Sequence, residues 1–364
     1  MKIFYYIIFA CVAALAYFGL NYYVYSRMSG VFSLTGPARG VFRWGFILLA
    51  LTFIFGELLG RRFPVYPLVF AGGAWLGIIA ISFSVFLLRD AVRLGLPSSA
   101  DISGRISVYI IAVMVLWGFV NVLLPPSARE VKLRLKGLPA GLKGFKIVQL
   151  SDLHLGAGKT AAWLDRVVNT ANGMDADVIA LTGDILDEDI CSSGNFCGIL
   201  KKLKARHGIF AVTGNHEYYS GIKRFMNFAS EAGITPLRNS SAVVAGGLVI
   251  AGVDDRAGER FGQGGPDLDR ALDGRPEGLP VVLMNHQPVD FSRAVASGVS
   301  LQLSGHTHAG QVPPLEPFIW LIYRYTWGLA GLKDSYIYTS SGTGTWGPPL
   351  RVFSRSEIVK FILE

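Results

Sequence analysis

A chain of 364 residues with 51% hydrophobic and only 16% charged residues is too apolar for one ordinary soluble domain, so part of it meets lipid. Its net charge of +8 is concentrated at one end: residues 1–124 hold nine Lys/Arg against three acids, a net of +6, which leaves +2 for the remainder. A basic excess confined to loops between apolar runs excludes a nucleic-acid partner as the reason for the charge.

In chain order, residues 3–25, 41–60, 65–88 and 106–124 are apolar runs that approach the roughly 20 residues a bilayer-spanning helix needs. They predict a transmembrane region of four helices over residues 1–124, with the lipid bilayer as its partner. The first run exceeds the roughly 7–15 residues of a signal-peptide core. Tyr22, Tyr23, Tyr25, Trp44 and Tyr66 stand near run ends, as interfacial aromatics do. Four crossings would put both termini on one face, with Lys2, Arg61, Arg62, Arg129, Lys132, Arg134 and Lys136. Arg27, Arg39, Arg43, Arg89, Arg93 and Arg105 would lie on the other, and a bias of seven to six favours a cytoplasmic C-terminal domain.

Pro125 and Pro126 mark a linker, residues 125–142, and the pattern then turns soluble over 143–364. Short apolar runs recur at 145–152, 177–184, 208–217, 248–255, 280–288, 299–308 and 335–344, each ending in polar residues. Continuous apolar runs bounded by turns are strands buried on both faces. Helical stretches at 160–173 and 220–233 alternate with them, so the fold class is α/β, with β-sheets flanked by helices. Of the three cysteines, Cys11 lies in a membrane run, and Cys191 could pair with Cys197 only in an oxidising compartment; reduced thiols are expected.

Ligands of open α/β sheets bind beyond the carboxyl ends of strands, where these runs deliver Asp152 and His154, Asp184, Asn215 and His216, His286, then His306 and His308. Five of the chain's six histidines fall at such ends; His207, beside Arg206, is read as structural. If the last strand runs on past Gly305, His306 and His308 share one side of it. Oxygen and imidazole donors without thiolate suit Mn, Zn or Fe. Two Asp, one Asn and four His are too many for one four-coordinate ion, which implies two divalent metal ions about 3.5–4 Å apart sharing a carboxylate.

The set DLH (152–154), GDILD (183–187), GNHE (214–217), NH (285–286) and GHTH (305–308) resembles, in order and content, the five motifs of the calcineurin-like metallophosphoesterase superfamily. The resemblance covers residues 143–364 and implies a metallophosphoesterase-type domain. By it, Asp152, His154 and His308 would hold one ion, Asn215, His286 and His306 the other, and Asp184 would bridge them. His216 would contact the phosphate and protonate the leaving oxygen, with Asp187 orienting it. The implied reaction is phosphoester hydrolysis by a metal-bridging hydroxide, with a histidine near its titration range as proton donor.

One departure narrows the substrate. Phosphoprotein phosphatases carry an arginine after this second motif, whereas Glu188 and Asp189 follow here and would repel a phosphate dianion. Diesters and pyrophosphates are therefore favoured. GVDD (252–255), HTHAGQ (306–311) and SSGTGTWGPPLR (340–351) resemble the membrane-anchored bacterial branch, some of whose members hydrolyse lipid-linked substrates such as the UDP-diacylglucosamine pyrophosphate bond. That implies an inner-membrane phosphodiesterase or pyrophosphatase with a phospholipid or lipid-linked substrate. Two other readings stand beside it: a soluble-nucleotide phosphodiesterase, and a non-catalytic membrane receptor or scaffold with a metal-binding fold. Loss of a ligand would suggest the last, and none is missing.

Three further segments stay ambiguous. Asp254 and Asp255 suit either a turn and cap or the substrate side. The glycines of 340–349 either close a tight loop or cradle phosphate. In the stretch 317–330, Phe318, Trp320, Leu321 and Trp327 form either a lip that touches lipid or a surface buried under the sheet.

Overall fold

A computed structural model describes the chain except residues 1, 61, 62, 64, 96–99, 157 and 188–194. Two compact units are distinguished: residues 1–123 with the short segments 312–315 and 347–352, and residues 124–311, 316–346 and 353–364.

The first unit is built on four helices, α1 (Lys2–Val31), α2 (Gly36–Gly60), α3 (Tyr66–Gly95) and α4 (Ala100–Leu123). Among the described residues, three are long and apolar enough to cross a membrane: α2, α3 and, within α4, Ile102–Leu123. The expectation of four is thus corrected to three. The second half of α1 carries polar side chains that turn to α3 rather than to lipid. Trp75 Nε1 donates to Asn21 Oδ1 at 2.9 Å, Tyr23 donates to Asp90 at 2.6 Å, and Arg27 pairs with Asp90 at 2.7 Å. Small residues allow close packing: a side chain at Gly72 of α3 would press on the Phe53 backbone of α2.

The second unit holds twelve strands among its described residues: β1 (Ser127–Leu133), β2 (Lys146–Leu150), β3 (Val178–Leu181), β4 (Ile209–Ala211), β5 (Thr235–Pro236), β6 (Ser240–Val244), β7 (Leu248–Gly252), β8 (Val281–Met284), β9 (Leu301–Ser304), β10 (Gly328–Leu332), β11 (Ser335–Thr339) and β12 (Glu357–Leu363). They form two six-stranded mixed sheets, ordered β1-β12-β2-β3-β4-β5 and β10-β11-β9-β8-β7-β6. Between the strands lie helices α5 (Ala161–Asn172), α6 (Phe196–Leu200), α7 (Asn215–Ser220), α8 (Ile222–Ala232), α9 (Ala257–Arg260), α10 (Leu268–Leu272), α11 (Phe291–Ala296) and α12 (Leu315–Ile322), whose first residue belongs to the first unit.

The sheets pack face to face, Ile147, Val178 and Phe210 of one against Ile250, Val282 and Leu303 of the other. Their outer faces are covered by helices, the first sheet by α5 and α8 through Leu164, Val167 and Phe225, the second by α10 and α11 through Leu268 and Phe291. Strands so covered lose water on both sides, which is why their sequences are continuously apolar. Within residues 125–142, expected as linker, 127–133 form an edge strand: β1 pairs in parallel with β12 from Ser127–Glu357 to Leu133–Leu363.

Candidate metal centre

Strands β2, β3 and β4 of one sheet and β8 and β9 of the other deliver their polar residues just past their carboxyl ends. The two sheets are tied together there: His286 Nδ1 lies 2.8 Å from Thr182 O, and Gln149 Nε2 donates to Ser304 O at 2.9 Å. Asp152, His154, Asp184, His306 and His308 all adopt φ between 48° and 71°. That left-handed region costs non-glycine residues about 1–3 kcal/mol each and persists where surrounding structure over-determines it, as at functional sites. Two motif glycines make room for the carboxylates, since a side chain at Gly214 would collide with Asp184 and one at Gly305 with Asp152.

Besides a group that joins His154, Asp184 and His216, two donor sets result among the described residues. Asp152, His154 and His308 form one, with His154 Nε2 and His308 Nε2 3.1 Å apart and His308 Nε2 3.5 Å from Asp152 Oδ1. Asp184, His286 and His306 form the other, with His286 Nε2 3.1 Å from Asp184 Oδ2 and 3.2 Å from His306 Nδ1. Asp184 Oδ2 also lies 3.9 Å from His154 Nε2 and so stands between the sets. The picture of His306 and His308 side by side on a continued strand is corrected: β9 ends at Ser304, and the turn sends each imidazole to a different set.

Donors bound to one ion at about 2.0–2.2 Å stand roughly 3.0–3.5 Å from each other, the spacing found here. Asn215 Oδ1 is buried without a hydrogen-bond partner among the described residues. A buried amide oxygen is costly to leave unpaired, and a cation beside it removes the cost. These residues fit divalent metal.

Asp187 Oδ1 is shared, lying 2.8 Å from His216 Nδ1 and 2.6 Å from His154 Nδ1. Only the first of these partners was anticipated. Burial disfavours a charge on His216, but Asp184 and Asp187 outweigh it and lift its pKa to about 9 in the metal-free centre. Burial likewise opposes ionisation of Asp187, yet His154 and His216 hold it well below the usual carboxylate range. His286, despite full burial, is raised well above an ordinary histidine by Asp184 and Asp152, whereas burial and the neighbouring His286 push His306 down to about 3.

Sequence reasoning gave no role to Glu217, which is fully buried and accepts four backbone N–H groups: Asp184 and Gly214 at Oε2 (2.9 and 2.6 Å), Ile185 and Leu186 at Oε1 (2.8 and 3.0 Å). It thereby fixes the Asp184 loop to the Asn215 loop. Its signal was present: an acid three residues past the helix-capping position, here Gly214, is a capping-box pattern. Burial and the charge on Asp184 push its own pKa up to about 6.

The ambiguous segments resolve. Asp254 pairs with Arg238 at 2.8 Å, while Asp255 accepts from Ala257 N and Gln287 Nε2, each at 2.8 Å, which is the turn-and-cap arrangement. Thr343 N and Gly344 N donate to Ser151 O and Asp152 O, so that loop closes tightly over the Asp152 turn. Burial of 317–330 under the sheet is excluded for Phe318, Trp320, Leu321 and Trp327, all more than half exposed. Glu188, Asp189 and Cys191 lie outside the described residues. Around the centre, His216 has Tyr219 and Trp346 as ring neighbours, with centroids at 5.3 and 6.5 Å.

Comparison with known proteins agrees with this chemistry. Residues 145–310 match the family described as calcineurin-like phosphoesterase. A transmembrane protein with metallophosphoesterase domain from Danio rerio is 31% identical over 351 residues, covering 87% of this chain and 79% of the relative. An uncharacterized metallophosphoesterase of Helicobacter pylori is 38% identical over 66% of this chain and 65% of its own length. One from Campylobacter jejuni is 29% identical over 97% of both.

Proposed function

From the premise that this chain belongs to the calcineurin-like phosphoesterase family and is a metal-dependent phosphoesterase of the membrane, we propose that it hydrolyses a phosphodiester or pyrophosphate on a phospholipid or lipid-linked substrate. In this reading Asp152, His154 and His308 would hold one divalent ion and Asn215, His286 and His306 a second, with Asp184 available to both; Mn, Zn or Fe suits the donors. When bound, such ions neutralise the phosphate and lower the pKa of water for in-line attack. The chain's own residues do the rest. Asp187 engages His216 Nδ1, which fixes the tautomer and leaves Nε2 to carry the proton to the departing oxygen. Glu217 keeps Asp184 and Asn215 in register.

The observation that carries this reading is the position of Asp184 Oδ2, 3.1 Å from His286 on one side and 3.9 Å from His154 on the other. Glu188 and Asp189, following Asp187 in the sequence, support a diester or pyrophosphate over a dianionic monoester. The exposed apolar residues of α12 support a lipid substrate. A bacterial inner membrane is part of the same proposal, supported by the Helicobacter and Campylobacter relatives. The test is metal-dependent hydrolysis by the detergent-purified full chain of bis-p-nitrophenyl phosphate, p-nitrophenyl phosphate and a UDP-linked diacyl sugar, with Asp184→Asn alongside. Preference for the diester and the lipid pyrophosphate, lost in the variant, is expected; preference for the monoester would overturn the substrate assignment.

A further inference from the structure

We propose that α12 lies among the acyl chains of the bilayer, as the outer part of a re-entrant element that begins against the membrane helices. Within the first unit, Val312 and Leu315 pack with Ile81 of α3, Met114 and Phe119 of α4, and Leu350. The segment 347–352 follows the same helices: Gly347 O lies close to Gly73, and a side chain at Gly77 would collide with Leu350. At 1.5 Å per residue, Gly73, Gly77 and Ile81 stand roughly 10, 16 and 22 Å along α3 from Tyr66. Those depths fall well inside a hydrocarbon core of roughly 30 Å.

The irregular backbone at this depth is satisfied by protein rather than water. Arg351 N donates to Gly118 O at 3.1 Å, Trp117 Nε1 to Val352 O at 3.0 Å and Asn121 Nδ2 to Arg351 O at 2.9 Å. Non-helical backbone persists in a membrane only where it is paired in this way.

Helix α12 continues directly from that cluster, and none of its residues is buried. Phe318, Trp320, Leu321 and Ile322 are 57%, 69%, 83% and 70% exposed. In water they would form an unpartnered apolar surface; in the leaflet the same surface is solvated by lipid. Tyr323, the next residue, sets its ring against His306 with centroids 5.6 Å apart.

The experiment places a spin label at Leu321→Cys in the full chain, with Cys11, Cys191 and Cys197 changed to Ser, in nanodiscs of phosphatidylethanolamine and phosphatidylglycerol. Collisions with oxygen should dominate over those with a water-soluble nickel chelate, as for a label at Val113→Cys on the exposed face of α4 and unlike one at Glu231→Cys on α8. Nickel access matching the Glu231 position overturns the proposal. Dipolar broadening that vanishes on dilution with unlabelled chain overturns it too, because a second copy would then cover α12. Ile322→Cys is the second reporter should Leu321→Cys misfold. The readout does not involve hydrolysis, so a water-exposed α12 in an active protein defeats this proposal alone, and a lipid-immersed α12 in an inactive one defeats only the enzymatic reading.

Discussion

Replacing Glu217 with Gln should destabilise the second unit by about 2–4 kcal/mol and weaken metal binding, although residue 217 belongs to neither donor set. Each carboxylate oxygen accepts two backbone N–H groups. The amide keeps one acceptor oxygen and turns an NH2 towards the other pair of donors, which lie in the interior. An orphaned buried donor costs about 1–3 kcal/mol, and two of them about 2–6 kcal/mol. Relief from burying a charge offsets part of this, since the carboxylate is already held against a pKa pushed up to about 6. For a domain of this size 1 kcal/mol moves Tm by about 2–4 °C, so a fall of about 5–15 °C is expected. Thermal unfolding of the full chain in detergent, followed by near-UV circular dichroism with and without Mn, measures it. A Tm within about 2 °C of the parent, with unchanged metal affinity, would refute the claim that Glu217 fixes the Asp184 and Asn215 loops.

Three further outcomes follow from the same geometry. His216→Ala should lower kcat about 10²–10⁴-fold on a diester with an alkoxide leaving group, but far less with p-nitrophenolate, which departs without a proton; equal losses on both would remove the proton-donor role. In the metal-free protein the pKa of His216 is raised to about 9 against an ordinary 6.5. Its stabilisation, at most about 3 kcal/mol, is therefore fully present below pH 6.5 and lost as pH rises through 9. The Tm of chelator-treated protein should fall across that window, more shallowly in Asp187→Asn; an identical slope in the variant would contradict the assignment. Metal restores stability by about 2.7 kcal/mol at one hundred times Kd. Because His286 is raised and must shed its proton to bind, calorimetric affinity should drop from pH 8 to pH 6.

Much of this was legible in the sequence, for identifiable reasons. The seven apolar runs became β2, β3, β4, β7, β8, β9 and β11, because strands buried on both faces cannot hide their character. Of the strands that escaped, β1 (SAREVKL) and β12 (EIVKFIL) are interrupted by charge, β10 (GLAGL) is glycine-rich, β5 has two residues and β6 (SSAVV) is half polar or small. In the centre, residue types and their place after strands pointed to the candidate donors that the structure brings together. What the sequence does not display is the backbone that aims them, five residues with positive φ, or a carboxylate such as Asp187 serving two imidazoles. Along α1, Asn21, Tyr23 and Arg27 direct their polar atoms to α3, a pairing that hydropathy along the chain does not display.

The most direct test of the central claim is the rate of bis-p-nitrophenyl phosphate hydrolysis by the full, metal-stripped chain as Mn is added in measured equivalents. The account predicts no activity at zero equivalents and a rise that saturates at two, abolished in Asp184→Asn. Activity that survives stripping, or two bound equivalents with no hydrolysis of the diester, would contradict it.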